Sequence, residues 1–282
     1  GPMPNNLVYI IMDSCRFDSY ARAKTPNMDR IGQGEARWSY ASWTAPSHHS
    51  IFLGQVAHKA PTRILASEVY KKEYALWIDR LDIPDLSFKS FVPELSLAKV
   101  LQGNGYRTVG RVSMPVLNPF TPFGKFFDDY KLMQDHNDFA GMVDEVEFSV
   151  MQPTYYFFNL GETHYPYMLK NEDLPIISGV HGIVKGMDEA IVRGSDTSMD
   201  TDAEPEFFSA EDMKMLHEQQ IACVEYVDSL IDALIEKCPT NTHIIIAADH
   251  GECFGEGDFF GHGPVMHKKV FEVPFLEARR PA

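Results

Sequence analysis

Two short apolar runs in this chain end on side chains that bind cations, and this pattern restricts the fold more than any other feature. Leu7–Met12 (LVYIIM) leads straight into Asp13, and His243–Ala248 (HIIIAA) leads straight into Asp249 and His250. A continuous apolar run of this length, rich in branched side chains, suits a strand buried on both faces. In open α/β sheets the ligands sit beyond the C-terminal ends of such strands. Tyr155–Leu160 (YYFFNL) is a third run of the same kind. Between the runs, Glu94–Gln102 has helical spacing and stops at Gly103, and Ala210–Lys237 reads as a long amphipathic helix closed by Cys238 and Pro239. Strands alternating with helices predict an α/β fold, a mostly parallel central sheet covered by helices on both faces. Residues 61–85 carry charges and aromatics without a clear period and receive no assignment.

The 282 residues are 44% hydrophobic, enough for a large core, and are expected to form one domain over residues 4–282, with Gly1 and Pro2 as a tag remnant. Lys and Arg number 25 against 40 Asp and Glu, a net charge of −15 that opposes nonspecific contact with nucleic acid or anionic lipid. An anionic small molecule must then be met locally, by a cation or a few placed donors. No apolar run approaches the roughly 18 residues of a membrane span. The four cysteines (Cys15, Cys223, Cys238, Cys253) are far apart with no CxxC pair, which predicts free thiols and a cytoplasmic location. Residues 188–212 hold nine acids and one base among Gly, Ser and Pro, and are read as an acidic loop or lid.

Asp13, Asp249 and His250 offer oxygen and imidazole ligands of the kind a divalent cation takes. Each aspartate alone would also serve as a turn cap, but two strand ends supplying ligands together favour a metal. The segment TAPSHHSIFLG (Thr44–Gly54) fits a helix start, with Ser47 able to cap a helix beginning near His48. A helix N-terminus attracts anions. The Thr44 hydroxyl just ahead of it could coordinate the cation, lose its proton and attack a tetrahedral phosphorus or sulfur centre. His48 and His49 flank that position, one to face an anion and the other to pack. His164 in GETHYPY and His262 in the Gly-rich stretch GEGDFFGHG could donate to substrate oxygens or join a second metal site, and Lys268 with Lys269 forms the one cation pair near these motifs.

Taken in order, NLVYIIMDSCRFD, TPNMDRI, TAPSHHSIFLG, LAKVLQGNGYRTV, GETHYPY, YVDSLIDAL, AADHGECFGEGDFFGHG and VFEVPF resemble the sulfatase branch of the alkaline phosphatase superfamily, from about Asn6 to Phe275. The resemblance implies an alkaline-phosphatase-like α/β sandwich with its site at the C-terminal strand ends. Asp13 would match the first metal-binding Asp, and Asp249 with His250 the late metal-binding pair. Thr44 falls where sulfatases keep the Cys or Ser of their C/S-x-P-S-R signature. His164 and His262 fall where relatives hold the substrate's anionic group or a second metal.

The departures from the pattern are equally informative. Thr44 cannot be oxidised to formylglycine, His48 stands where the signature has Arg, and Gly110–Pro115 (GRVSMP) lacks the family's Lys-x-His. These differences argue against sulfate ester cleavage and toward the members with a Thr nucleophile. The expectation is a metal-dependent hydrolase of a phosphate ester, a phosphodiester or phosphonate monoester, working through a covalent phosphothreonine. Thr44, His164 and His262 would be catalytic, with His48, Ser47 and Lys268 binding substrate. Asp13, Thr44, Asp249 and His250 would hold one divalent ion (Mn, Zn, Mg or Ca), and a second ion could only draw on Glu162 and His164. Transfer to an alcohol, sulfate ester hydrolysis and a noncatalytic metal-binding module remain as alternatives.

Overall fold

The computed structural model describes residues 2–59, 66–174 and 209–282. The central sheet has seven strands: β1 (Asn6–Met12), β2 (Glu35–Trp38), β3 (Arg107–Val112), β4 (Asp129–Leu132), β5 (Thr154–Leu160), β6 (Thr242–Ala247) and a late strand, Glu272–Arg279. Two short arms, β7 (Cys253–Phe254) and β8 (Phe260–Gly261), pair as a separate hairpin, so the late strand is β9. The spatial order is β2-β9-β6-β1-β5-β3-β4. Strands β6, β1, β5, β3 and β4 run parallel, and β9 is antiparallel to both of its neighbours. The predicted mostly parallel α/β sheet is the observed one.

The helices are α1 (Phe17–Arg22), α2 (Pro26–Ile31), α3 (Thr44–Leu53), α4 (Ala66–Leu81), α5 (Phe88–Phe91), α6 (Leu97–Gln102), α7 (Phe139–Asp144), α8 (Ala210–Lys237) and α9 (Lys268–Phe271). Side chains alternate across a strand, so β1 feeds two cores. Val8, Ile10 and Met12 pack with residues of α2, α7 and α8, whereas Leu7, Tyr9 and Ile11 pack with residues of α3 to α6. All seven β1 residues are buried, which explains the unbroken apolar run.

The long helix has the bounds read from the sequence, Ala210–Lys237, with the Ser209 side chain accepting from the Asp212 N–H and Cys238 as C-cap. The shorter helix starts later than its spacing suggested, at Leu97, because the Ser96 hydroxyl caps it through the Lys99 N–H. The unassigned stretch 61–85 contains α4. Its face Tyr74, Trp77 and Leu81 enters the core, and the Trp77 indole donates to the Gly54 carbonyl at 2.9 Å. Most of the acidic segment 188–212 lies outside the described residues.

Candidate metal and nucleophile site

Register builds the site. Ile11 of β1 faces Ala247 of β6, so two residues on, Asp13 and Asp249 leave the sheet side by side. Thr44 begins α3 with Trp43 as its N-cap, and its hydroxyl lies 3.3 Å from Asp13 Oδ1 and 3.4 Å from His250 Nε2. Asp13, Thr44, Asp249 and His250 are all buried. Among the described residues, one group of three or more such side chains could hold a metal ion: Asp13, Asp249 and His250, with ligand atoms within 4.8 Å of one another.

The donor set suits a cation. Asp249 Oδ1 accepts from the Ser14 N–H at 3.1 Å and the His250 N–H at 2.9 Å, while buried Oδ2 has no hydrogen-bond partner and lies 3.4 Å from His250 Nε2. A buried carboxylate oxygen left unpaired is costly unless an ion or proton meets it. Burial first, and then the adjacent Asp13 charge, hold the Asp249 carboxyl well above its ordinary range. Burial opposes ionisation of Asp13 as well, but its neighbours, His164 first among them, outweigh it and bring that carboxyl to about 2. His250 is pushed well below its ordinary value by burial and then by His262, so its ring is neutral. Its Nδ1 lies 2.7 Å from the Gly251 carbonyl, which can only accept, so Nε2 keeps its lone pair toward Asp13, Thr44 and Asp249.

Two of the residues expected to bind substrate have other partners. His48 is fully buried; its Nδ1 donates to the Thr44 carbonyl at 2.8 Å, and its Nε2 lies 3.3 Å from Asn159 Nδ2. The α-helical i, i+4 spacing turns this ring back onto its own helix, so both nitrogens are committed to the protein. Ser47 lies inside α3 rather than ahead of it, and its hydroxyl donates to the Ala41 carbonyl at 3.1 Å instead of capping the helix. Lys268 stands apart: it is 64% exposed on α9 with its ammonium 3.6 Å from Glu272, a solvated turn cation. His49 is exposed against the Phe123 ring.

His164 and His262 do converge on the centre. The His262 ring centroid is 4.2 Å from that of His250 and 5.6 Å from that of His164. Glu162, the other residue considered for a second ion, is buried and accepts from the Phe139 N–H at the start of α7 at 2.8 Å.

Sequence reading missed two polar residues that hold the loops together. Asn159, in β5, donates to Asp13 Oδ2 at 2.8 Å and accepts the Ser113 and Met114 N–H groups at 3.0 and 3.1 Å. Gln220, on the buried face of α8, donates to the Ser14 and Thr163 carbonyls at 2.8 and 2.9 Å and accepts from the Ser19 hydroxyl at 2.6 Å. Thr163 in turn donates to the Asp13 carbonyl at 2.7 Å. In each case the available signal is one amide inside an apolar stripe, YYFFNL for Asn159 and Met213, Leu216, Cys223 and Val224 around Gln220.

Known proteins share this arrangement of strands. No curated protein matches the chain. Among solved structures, the C-terminal periplasmic domain of EcEptC from Escherichia coli, in complex with zinc, aligns with 99% of this chain and 74% of its own at 16% identity and TM-score 0.53. BT4656, in complex with its substrate D-glucosamine-2-N,6-O-disulfate, aligns with 99% of this chain and 72% of its own at 13% identity and TM-score 0.60. The putative sulfatase yidJ from Bacteroides fragilis covers all of this chain and 69% of its own at 17% identity and TM-score 0.54. These likenesses carry the alkaline-phosphatase-like fold. They also correct the cytoplasmic expectation, since the EptC domains of this fold are periplasmic. That expectation rested on the cysteines; all four are free and buried, and burial by itself keeps such thiols out of disulfides, whatever the compartment. The family model for sulfatases matches residues 5–279, and the chain belongs to the sulfatase family.

Proposed function

We propose that this chain is a metal-dependent phosphoric ester hydrolase that cleaves a phosphodiester or phosphonate monoester with Thr44 as nucleophile. The observation that carries the reading is the placement of the Thr44 hydroxyl, 3.3 Å from Asp13 Oδ1 and 3.4 Å from His250 Nε2 at the start of a ten-residue helix. A bound divalent cation would lower the hydroxyl pKa and neutralise charge on the transferring group. Asp13, Asp249, His250 and Thr44 would hold it, and carboxylate and imidazole ligands suit Zn or Mn as well as Mg or Ca.

The protein's own residues do the rest. Asn159 and His48 fix Asp13 and the first turn of α3, so Thr44 Oγ1 is presented in one orientation. That oxygen gives up its proton to water as it attacks phosphorus, the bond to the leaving oxygen breaks, and a protonated His262 would supply the proton that the leaving group takes, with His164 donating to a non-bridging oxygen. Water then attacks the phosphothreonine and returns the threonine hydroxyl. A threonine side chain cannot yield the formylglycine aldehyde, which sets sulfate esters behind phosphorus esters.

Transfer of the phosphoryl group to an alcohol is the second reading. It uses the same atoms, with the acceptor in place of water, and it is favoured by the likeness to EptC of Campylobacter jejuni, described as a phosphoethanolamine transferase. The test is turnover of nitrophenyl phosphate, phosphodiester, phosphonate and sulfate esters by metal-loaded wild type and Thr44→Ala, with metal content determined on both. The proposal expects a phosphorus ester to be cleaved by wild type alone while both proteins hold metal. Preferred cleavage of the sulfate ester would overturn it.

A further inference from the structure

We propose that Gln220, on helix α8, is a positioning residue for the cation site: it holds Ser14 in a left-handed turn, and that turn decides which oxygen of Asp249 faces the ion. Ser14 is fully buried and takes φ +61°, a backbone state that suits Gly or Asn and is strained for other side chains. Such strain persists only where the surroundings impose it. The inference deepens the proposed function, because it rests on Asp13, Asp249 and His250 holding a cation.

The turn follows β1 directly. The Cys15 N–H donates to the Met12 carbonyl at 3.3 Å, which puts Ser14 at the third position of a four-residue turn, where a positive φ ordinarily falls to Gly or Asn. In this conformation the Ser14 N–H donates to Asp249 Oδ1 at 3.1 Å, and the Ser14 hydroxyl donates to Asp13 Oδ1 at 3.2 Å. With the His250 N–H also on Oδ1, Oδ2 is the Asp249 oxygen left without a hydrogen-bond partner beside His250 Nε2. A residue 14 in an extended or right-handed state would carry its N–H away from Asp249, and the carboxylate would be free to rotate.

Gln220 grips that turn from outside the site. It is fully buried on the apolar face of α8, with Leu216 and Val224 one turn away on either side. Its Nε2 donates to the Ser14 carbonyl at 2.8 Å and to the Thr163 carbonyl at 2.9 Å. Both partners can only accept, and Oε1 accepts from the Ser19 hydroxyl at 2.6 Å, so the amide has one orientation. Thr163 closes the circuit by donating its hydroxyl to the Asp13 carbonyl at 2.7 Å. Two turns further along α8, Asp228 accepts the Met28 N–H at 2.7 Å and ties the helix to α2, so the grip has a fixed mount. A leucine would fill the apolar stripe equally well; the turn is what needs an amide. Without it the Ser14 carbonyl is unheld and serine relaxes out of the left-handed state, whereas a glycine at position 14 keeps that state at no steric cost.

The experiment uses the full chain, with zinc alone as the probe. In EDTA, Gln220→Leu should lower the amide-exchange protection of residue 14 by about tenfold or more while Ile10 in β1 stays protected. Adding Ser14→Gly should restore that protection, and adding Ser14→Ala, which loses the same hydroxyl, should not. Zinc affinity, read by competition with a chromophoric chelator, should be about 10- to 100-fold weaker in Gln220→Leu, and the Gln220→Leu, Ser14→Gly double variant should come within about threefold of Ser14→Gly alone. Unchanged protection at residue 14, a loss shared equally by Ile10, or equal rescue by Gly and Ala overturns the proposal. If Gln220→Leu does not fold, the single variants decide. With Gln220 present the turn is held for either residue, so Ser14→Ala and Ser14→Gly should bind zinc within about threefold of each other, and a gap of about tenfold or more overturns the proposal. If Asp249→Asn takes up zinc as tightly as wild type, the metal reading of this centre fails, while exchange at residue 14 still judges Gln220 independently.

Discussion

Replacing Asp249 with Asn should stabilise the metal-free protein and remove its response to metal, two effects of opposite sign from one atom. Asp249 Oδ2 is buried without a hydrogen-bond partner, beside the Asp13 carboxylate. The amide keeps Oδ1 on the Ser14 and His250 N–H groups and puts a donor where Oδ2 stood, 3.4 Å from the lone pair of His250 Nε2. Satisfying one buried polar group is worth about 1 kcal/mol or more. For a chain of this size that raises Tm by about 2–4 °C. Wild type gains far more from the ion, about 2.7 kcal/mol at a free metal concentration of about 100 Kd, or roughly 5–11 °C. Asn lacks the charge, so the variant should show less than about a third of that shift. Thermal unfolding of both proteins in EDTA and in a zinc or manganese series reads the two effects together. The argument is refuted if Asp249→Asn is the less stable protein in EDTA, or if metal raises both Tm values equally.

Thr44→Ser should keep turnover and Thr44→Ala abolish it with metal still bound, as judged by steady-state rates and metal analysis on the same samples. Asn159→Leu removes the donor to Asp13 Oδ2 and the acceptor of two buried N–H groups, so unfolding should show a loss of about 2–4 kcal/mol and metal titration a weaker site. Gly161→Ala should compromise folding, measured by soluble yield and Tm, because an added Cβ would meet the His136 carbonyl oxygen at 1.7 Å and displace the loop carrying Thr163 and His164. Glu277 pairs with Arg80 at 2.7 Å and His243 at 3.0 Å; these partners overcome burial and bring its carboxyl to about 2 from an ordinary 4.5. Its contribution, about 2–3 kcal/mol, is present above pH 4.5 and lost as pH falls toward 2, so Glu277→Gln should destabilise at pH 7 and converge on wild type in acid denaturation curves.

What could be read from the sequence follows from burial. A strand covered on both faces writes itself as an apolar run, so β1, β5 and β6 were visible, and with them the carboxylates that leave β1 and β6 at Asp13 and Asp249. The long helix was visible because its apolar period is unbroken and Cys238 and Pro239 end it. Helix α4 escaped because its buried side chains are Tyr74 and Trp77 among charges, a stripe that looks mixed until its spacing is counted. The directions of side chains were harder than their positions. His48 is next to the nucleophile in sequence, yet helical geometry turns it onto the Thr44 carbonyl, and the Lys268 ammonium is exposed and pairs with Glu272. Asn159 and Gln220 act through groups 46 to 206 residues away, contacts that only the assembled sheet and helix α8 create.

The most direct test of the Thr44 mechanism is mass spectrometry of metal-loaded protein acid-quenched during turnover of a nitrophenyl phosphodiester or phosphonate. The account predicts a phosphoryl adduct on the peptide that contains Thr44, lost on Thr44→Ala. Sustained turnover with that peptide unmodified at every quench time, together with undiminished turnover by Thr44→Ala, would contradict it.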